Sequence, residues 1–276
     1  MKHGNLSFNH SEISYIRWGQ GDKILIALHG YGESGAHFRF LADEMPDDWS
    51  VIAPDLPYHG DTVWKEKDNI VTETLFQLFS RILRQENCSA EKFSLLGYSM
   101  GGRISLHYTQ DFPETVNCLT LVAPDGLAVN PWYWFSTRTY IGNRIFHRVM
   151  HRPNLFKHIA AAGRKLRLVN QSIYKFVQRY IDDPMVRHEL YVRWTAMRFF
   201  RPNLSKLRRK ILEFKIPVLM VYGRHDRIIP PDTGRHLRLG MEEQIRFLLL
   251  PTGHQLLLPT FVPDIVQQLT ETAAEN

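Results

Sequence analysis

The run Phe93-Ser94-Leu95-Leu96-Gly97-Tyr98-Ser99-Met100-Gly101-Gly102 constrains the fold of this chain more than any other stretch. Phe93 to Gly97 is mostly apolar and reads as a buried strand, and the segment after Ser99 reads as a helix. Between them stands a G-x-S-x-G pattern. A strand that turns directly into a helix around a serine needs a sharp, strained bend that lifts the hydroxyl clear of the backbone. That bend crowds the positions two residues before and after the serine, where a Cβ would clash. Alone, G-x-S-x-G arises by chance in flexible loops; the flanking strand and helix make it specific.

The rest of the chain alternates in the same way. Ile13 to Trp18 and Lys23 to Leu28 read as strands joined by a turn at Gly19 to Asp22. Ser34 to Met45 reads as a helix with Ser34 as N-cap. Val51 to Pro54 is a short strand that runs into Asp55-Leu56-Pro57-Tyr58-His59-Gly60. From Ile70 to Asn87, apolar residues at 70, 75, 78, 79, 82 and 83 keep helical spacing. A helix over Met100 to Gln110 and a strand over Cys118 to Ala123 follow. After a long break come the strands Val218 to Tyr222 and Ile245 to Leu250, with helices near Asp232 to Leu239 and over Val262 to Thr270. Apolar strands alternating with helices predict a mostly parallel sheet covered on both faces. In such sheets functional residues sit at the carboxyl ends of strands, where every motif discussed here falls.

The 276 residues suit one large α/β domain, or a core with an inserted subdomain. The net charge of +6 is unevenly placed. From Gly126 to Arg209 there are 17 Lys and Arg against three acidic residues (Asp182, Asp183, Glu189), a local net of +14 that leaves −8 for the remainder. This shift divides the chain into a core, 1–125 with 208–276, and a basic, mostly helical segment, 126–207. Met1 to Phe8 lack an apolar signal-peptide region, and no stretch approaches the ~20 apolar residues of a membrane span. Cys88 and Cys118 are too few for a disulfide framework, so a cytoplasmic chain with reduced thiols is expected. Internal repeats and low-complexity tracts are absent.

A serine hydroxyl is a weak nucleophile: it needs a general base, and the base needs an acid to orient it. After Val218 to Tyr222 comes Gly223-Arg224-His225-Asp226-Arg227-Ile228-Ile229-Pro230, and after Phe247 to Leu250 comes Pro251-Thr252-Gly253-His254. The G-x-S-x-G, the G-x-x-D-x-x-x-P loop and the closing G-H, in the order Ser, Asp, His, resemble the α/β-hydrolase superfamily, in particular its capped serine hydrolases of the esterase and lipase kind. The likeness runs from about Leu6 to the C-terminus, apart from the basic segment. It implies a mostly parallel central sheet flanked by helices, with a helical cap inserted after the sixth strand, here the strand ending at Ala123. It also implies that Ser99 is the nucleophile, His254 the base and Asp226 the orienting acid. Asp125, in Val122-Ala123-Pro124-Asp125-Gly126, is a rival, because some relatives place their acid there; its ordinary role is a turn at the entrance to the basic segment.

The tetrahedral intermediate needs preorganised donors for its oxyanion. One is the backbone N–H of Met100 at the start of its helix. His29-Gly30-Tyr31-Gly32 resembles the family's H-G-x-G, which implies the backbone N–H of Tyr31 as the second donor. His29 reads as a structural histidine supporting that loop. Asp55-Leu56-Pro57-Tyr58-His59-Gly60 resembles the family's D-x-P-G-H-G, with Tyr58 standing where glycine is usual. A serine at the elbow argues against dehalogenation and epoxide opening, for which relatives use aspartate. Neither G-x-G-x-x-G after the first strand nor G-x-x-x-x-G-K-[ST] is present, so no cofactor is expected. His147 and His151 lie four apart but lack the glutamate of H-E-x-x-H, and Pro153 interrupts the helix before His158, so no metal is expected either.

A cap in this family sets substrate choice. The run Asn130-Pro131-Trp132-Tyr133-Trp134-Phe135 either lines an apolar acyl pocket or is ordinary core. Ile141, Ile145, Phe146, Val149 and Met150 form a stripe at helical spacing, with Arg138, Arg144, His147, Arg148 and His151 elsewhere. Such a helix more often packs its stripe on the domain below than lies on an anionic membrane surface. Nucleic-acid binding has no motif to support it. The charge also suits an acidic substrate, such as a carboxylate- or phosphate-bearing ester. The expected activity is hydrolysis of a small-molecule carboxylic ester through an acyl-serine. A thioester, an amide, a lysophospholipid or a carbon–carbon bond in a β-diketone-like acid are alternatives on the same triad, and a non-catalytic ligand receptor is an alternative of another class.

Overall fold

The computed structural model describes residues 1–88, 90–128, 131–154 and 182–275. Among them, eight strands form one sheet: β1 (Lys2–Phe8), β2 (Ser11–Trp18), β3 (Lys23–Leu28), β4 (Trp49–Pro54), β5 (Phe93–Tyr98), β6 (Val116–Val122), β7 (Val218–Gly223) and β8 (Ile245–Leu250). Their order is β1-β2-β4-β3-β5-β6-β7-β8. β2 pairs antiparallel with β1 and β4. All other neighbours are parallel. Leu25 and Ile26 of β3, Leu95 and Leu96 of β5, Leu119 and Leu121 of β6 and Leu219 and Val221 of β7 are all buried. Parallel strands covered on both faces have no wet side, so their apolar residues run on without alternating.

β1 is the strand that sequence reading missed. Its residues alternate between exposed and buried, as an antiparallel edge with one wet face should. Gly4 and Asn5 are poor strand formers. Gly4 is accommodated because the Tyr15 ring lies across it, leaving no room for a Cβ.

The helices, in chain order, are α1 (Arg39–Glu44), α2 (Thr72–Gln85), α3 (Met100–Asp111), α4 (Pro131–Arg138), α5 (Tyr140–His151), α6 (Pro184–Ala196), α7 (Leu204–Glu213), α8 (Arg235–Arg238) and α9 (Val262–Ala273). The single helix expected over Ser34 to Met45 is instead a 3-10 turn, Gly35–Phe38, followed by α1, and Ser34 makes no side-chain cap bond. The acceptor comes from a neighbouring loop, since Asp55 Oδ1 takes the Gly35 N–H at 2.7 Å. From β3 the chain moves outward to β4, while β5 returns on the other side of β3. That reversal is the switch point of the sheet, and in open α/β sheets ligands bind beyond the carboxyl ends of the strands there, here β3 and β5. The loop after Leu28 and the turn at Ser99 leave from those two ends.

Contacts divide the chain into two compact units, Met1–Ala128 with Phe200–Asn276, and Val129–Phe199. The tail of the basic segment belongs with the first unit. There the Asn203 N–H donates to Gln110 Oε1 at 2.6 Å, and Lys206 Nζ lies 2.8 Å from Asp111 Oδ1. Charge and contact therefore draw the boundary at different places.

In the second unit the Phe146 ring packs 5.3 Å from Tyr191 and 5.7 Å from Trp194. Thr139 caps α5 by accepting the Gly142 N–H at 2.9 Å. Asp183 caps α6 by accepting the Met185 N–H at 2.7 Å. The expected apolar stripe does not stay together: Phe146 and Met150 are buried, whereas Ile141 and Ile145 are exposed. At about 100° per residue these pairs lie on different sides of α5. Asn130 and His158 lie outside the described residues.

α9 closes the first unit by placing Val262, Ile265, Val266 and Leu269 in one cluster with Leu219, Val221 and Leu250. Leu269→Ala removes buried methyl groups from that seam. It is expected to lower the unfolding free energy by about 2–5 kcal/mol, seen as a lower urea midpoint with an unchanged m-value.

Candidate active site

Ser99 adopts φ 51°, ψ −112° between β5 and α3. A side chain at positive φ is strained and persists only where its surroundings over-determine it. Here the Ser99 N–H donates to Val122 O at 2.9 Å, and Ser99 O accepts the N–H groups of Gly102 and Asp125, each at 2.9 Å. The flanking glycines are crowded as the bend requires. A Cβ on Gly97 would come within 2.5 Å of Gly101 O, and one on Gly101 within 2.0 Å of Leu28 O. Met100 is the first residue of α3. Its N–H has no carbonyl four residues back and points from the positive end of the helix.

The structure brings three of the candidate residues into one line. Ser99 Oγ lies 3.2 Å from His254 Nε2, and His254 Nδ1 lies 2.7 Å from Asp226 Oδ2. The other Asp226 oxygen accepts the N–H groups of Ile228 at 2.8 Å and Ile229 at 2.9 Å. The Asp226 side chain is inaccessible, so its carboxylate is held by three donors rather than by water. Asp125 is engaged elsewhere: its Oδ2 lies 3.2 Å from Arg103 Nη1, and its Oδ1 accepts the Gly126 N–H at 2.7 Å.

The loop after β3 starts beside the serine, because the space at Gly101 is bounded by Leu28 O and also by His29 O. His29 ties it to the next loop. Its Nε2 accepts the Leu56 N–H at 3.0 Å, which leaves Nδ1–H to donate to Gly30 O at 2.8 Å. Gly32 takes φ +75°, which bends the chain just beyond Tyr31. In the following loop Tyr58, at the position where relatives carry glycine, takes φ +66°. Asp55 holds that loop by accepting the Asp61 N–H at 2.9 Å.

Sequence reasoning missed Glu33, His37 and Tyr98. Glu33 Oε2 accepts the Gly30 N–H at 3.0 Å, while Gly30 O accepts the Glu33 N–H at 3.3 Å. The turn around Tyr31 is thus closed from both sides. The other Glu33 oxygen lies 3.6 Å from His37 Nδ1. The His37 ring stacks on Tyr98 at 5.2 Å, and the Tyr98 ring lies 5.4 Å from that of His254. The Tyr98 hydroxyl donates to His254 O at 3.0 Å. Burial pushes the Glu33 carboxyl up to about 7, against one backbone hydrogen bond that favours its charged form. Burial also lowers His37. Tyr98 is raised by burial first and then by the Glu33 and Asp226 carboxylates, so it stays a donor. One signal was available: a carboxylate three residues after a loop glycine can reach back to its N–H, as capping carboxylates do.

Among the described residues no group of three His, Cys, Asp or Glu could hold a metal ion. The rings of His147 and His151 stack at 3.9 Å, and His151 Nδ1 lies 2.9 Å from His147 O.

The chain is similar to known proteins over most of its length. Residues 23–259 match the family model of the alpha/beta hydrolase fold. The uncharacterized hydrolase YugF of Bacillus subtilis (strain 168) is 26% identical over 253 residues, covering 90% of this chain and 88% of its own length. The 2-hydroxy-6-oxononadienedioate/2-hydroxy-6-oxononatrienedioate hydrolase 1 of Pseudomonas putida is 25% identical over 264 residues, covering 91% and 87%. A malate-bound thermophilic esterase from Thermogutta terrifontis superposes with a TM-score of 0.67 over 100% of this chain and 99% of its own, at 20% identity. That likeness shows a shared fold.

Between the ordinary value of 4.5 and about 7, the folded chain keeps a proton on Glu33 that the unfolded chain has released. The stability this group contributes is therefore complete below about pH 4.5 and lost as pH rises through about 7. Glu33→Gln keeps an acceptor for the Gly30 N–H but removes the buried charge. Its melting temperature is expected to exceed that of the wild type above about pH 7 and to converge with it toward about pH 4.5, in thermal melts across that range.

Proposed function

We propose that this chain, which belongs to the alpha/beta hydrolase fold family, is a serine hydrolase that cleaves a carboxylic ester through an acyl-serine intermediate. One observation carries the reading: Ser99 Oγ, the His254 imidazole and the Asp226 carboxylate form a continuous hydrogen-bonded line at 3.2 and 2.7 Å. Asp226 accepts the Nδ1–H, which leaves the Nε2 lone pair facing the serine. His254 takes the Ser99 proton as Oγ attacks the ester carbonyl. The backbone N–H groups of Met100 and Tyr31 hold the resulting oxyanion, each such donor being worth about 10²–10³ in rate. The imidazolium then protonates the leaving alkoxide. In the second half His254 deprotonates a water, the hydroxide attacks the acyl-serine, and the carboxylic acid leaves as Ser99 recovers its proton.

A second reading keeps the triad and changes the bond. The Pseudomonas putida relative is named as a hydrolase of a 2-hydroxy-6-oxo dicarboxylate. The local net of +14 in Gly126 to Arg209 suits an acidic substrate of that kind. On this reading water is added across a carbon–carbon bond next to a ketone. In both readings substrate selectivity is assigned to the basic segment.

The test is a series of p-nitrophenyl esters from acetate to palmitate, with wild type and Ser99→Ala side by side. Ser99→Ala is expected to lose on the order of 10³-fold or more in kcat with its melting temperature retained. The chain-length optimum then sizes the acyl site. A folded Ser99→Ala that keeps activity within about tenfold of wild type removes the nucleophile assignment. Ester inactivity combined with fluorophosphonate labelling of Ser99 selects the carbon–carbon reading, checked with 2-hydroxy-6-oxo acids.

A further inference from the structure

We propose that the outer face of α5 is a docking surface for an anionic lipid bilayer. At about 100° per residue, Tyr140, Arg144, Arg148, Ile141 and Ile145 fall on one arc of about 140°. Tyr140 is 74% exposed, Ile141 67% and Ile145 50%. The helix has no internal need of them, because its other face already packs: Gly142, Phe146 and Met150 are buried, and Phe146 lies against Tyr191 and Trp194. On α4, joined to α5 through Thr139 alone, Trp134 is 41% exposed and Phe135 36%.

The charges on this face name the partner. From 131 to 154 there are four arginines, 138, 144, 148 and 152, and no acidic residue. A solvated helix face normally mixes both signs with few large apolar groups. Arginine beside isoleucine and aromatic rings is what an interfacial helix presents: the rings and branched chains enter the headgroup boundary while the guanidinium groups reach lipid phosphates. A second copy of the same face would set arginine against arginine. Nucleic acid would use the arginines but leave Ile141 and Ile145 idle, since aliphatic chains offer no stacking. The division of charge, +14 over Gly126 to Arg209 and −8 elsewhere, gives a direction: an anionic surface draws this segment and repels the remainder. No described helix is long and apolar enough to cross a membrane, so the contact is peripheral. None of this depends on the chemistry assigned to Ser99.

The experiment is cosedimentation of the full chain with extruded vesicles of phosphatidylcholine alone or with about a third phosphatidylserine, over a range of salt. Binding is expected only with phosphatidylserine and is expected to weaken as salt rises. Arg144→Gln with Arg148→Gln should weaken it about thirtyfold and flatten the salt dependence, at about 1 kcal/mol per basic residue. Ile141→Ser with Ile145→Ser should weaken it at least about tenfold and leave the salt slope intact. All four side chains are exposed or lie on the outer face, so melting temperatures should hold. If either variant fails to fold, quenching of wild-type tryptophan fluorescence by brominated lipids in the phosphatidylserine vesicles gives the same answer. The proposal is overturned by equal binding to both vesicle types or by none. Isoleucine variants that bind like wild type also overturn it. So does a self-association or an RNA affinity that the isoleucine variants abolish without any vesicle binding.

Discussion

How closely α3 can approach the end of β3 decides the geometry around Ser99. A single carbon atom on Gly101 would lie 2.0 Å from Leu28 O, so the helix could not seat with any other residue there. Seated as it is, it forces Ser99 to φ 51°. The strain of such a residue, about 1–3 kcal/mol, is offset by backbone bonds on both sides of the serine, to Val122 O and from Gly102 and Asp125. The neighbours of β5 are parallel strands on both sides, which makes that support rigid. A serine hydroxyl on a flexible loop would have to be ordered at each turnover; this one is ordered by the fold.

Two carboxylates near the serine are treated in opposite ways. Asp226 receives two backbone N–H groups and the His254 Nδ1, all within 2.9 Å. Glu33 receives one backbone N–H, and desolvation dominates. The difference follows from local chain geometry: the turn after β7 folds over Asp226 and directs two successive amides at it, whereas Glu33 reaches back to an amide that is already part of a turn. Tyr98 connects the two regions, with its ring between His37 and His254 and its hydroxyl on the His254 backbone.

The hydrogen-bonded line of Ser99, His254 and Asp226 was legible because each stands at a strand end inside its own short motif. What was not legible is where the rival Asp125 is engaged, since its partner Arg103 lies 22 positions before it and in no local pattern with it. The cluster of Glu33, His37 and Tyr98 was hidden for the same reason: its contacts run between a loop after β3 and the end of β5. The donor proposed at Tyr31 marks a different limit, because a main-chain donor is indifferent to the side chain that carries it. The core strands of the sheet were readable from unbroken apolar runs. β1 was not, because an edge strand with one wet face looks polar. On α5 the apolar positions were read as one stripe, but the helix turns Ile141 and Ile145 away from the face that Phe146 and Met150 bury.

The pairing of β6 with β7 carries a consequence for how the molecule is assembled. These strands lie side by side, yet Val122 ends one and Val218 begins the other. Thermodynamically the long excursion is cheap, since each doubling of a loop costs only about 0.6 kcal/mol. In time it is not. At synthesis rates of about 5–20 residues per second, β6 waits on the order of ten seconds with one edge unpaired before its neighbour emerges. During that interval the nascent chain holds an open apolar strand edge, the kind of edge that recruits other chains. The edge left waiting is that of the strand beside the one that delivers the serine.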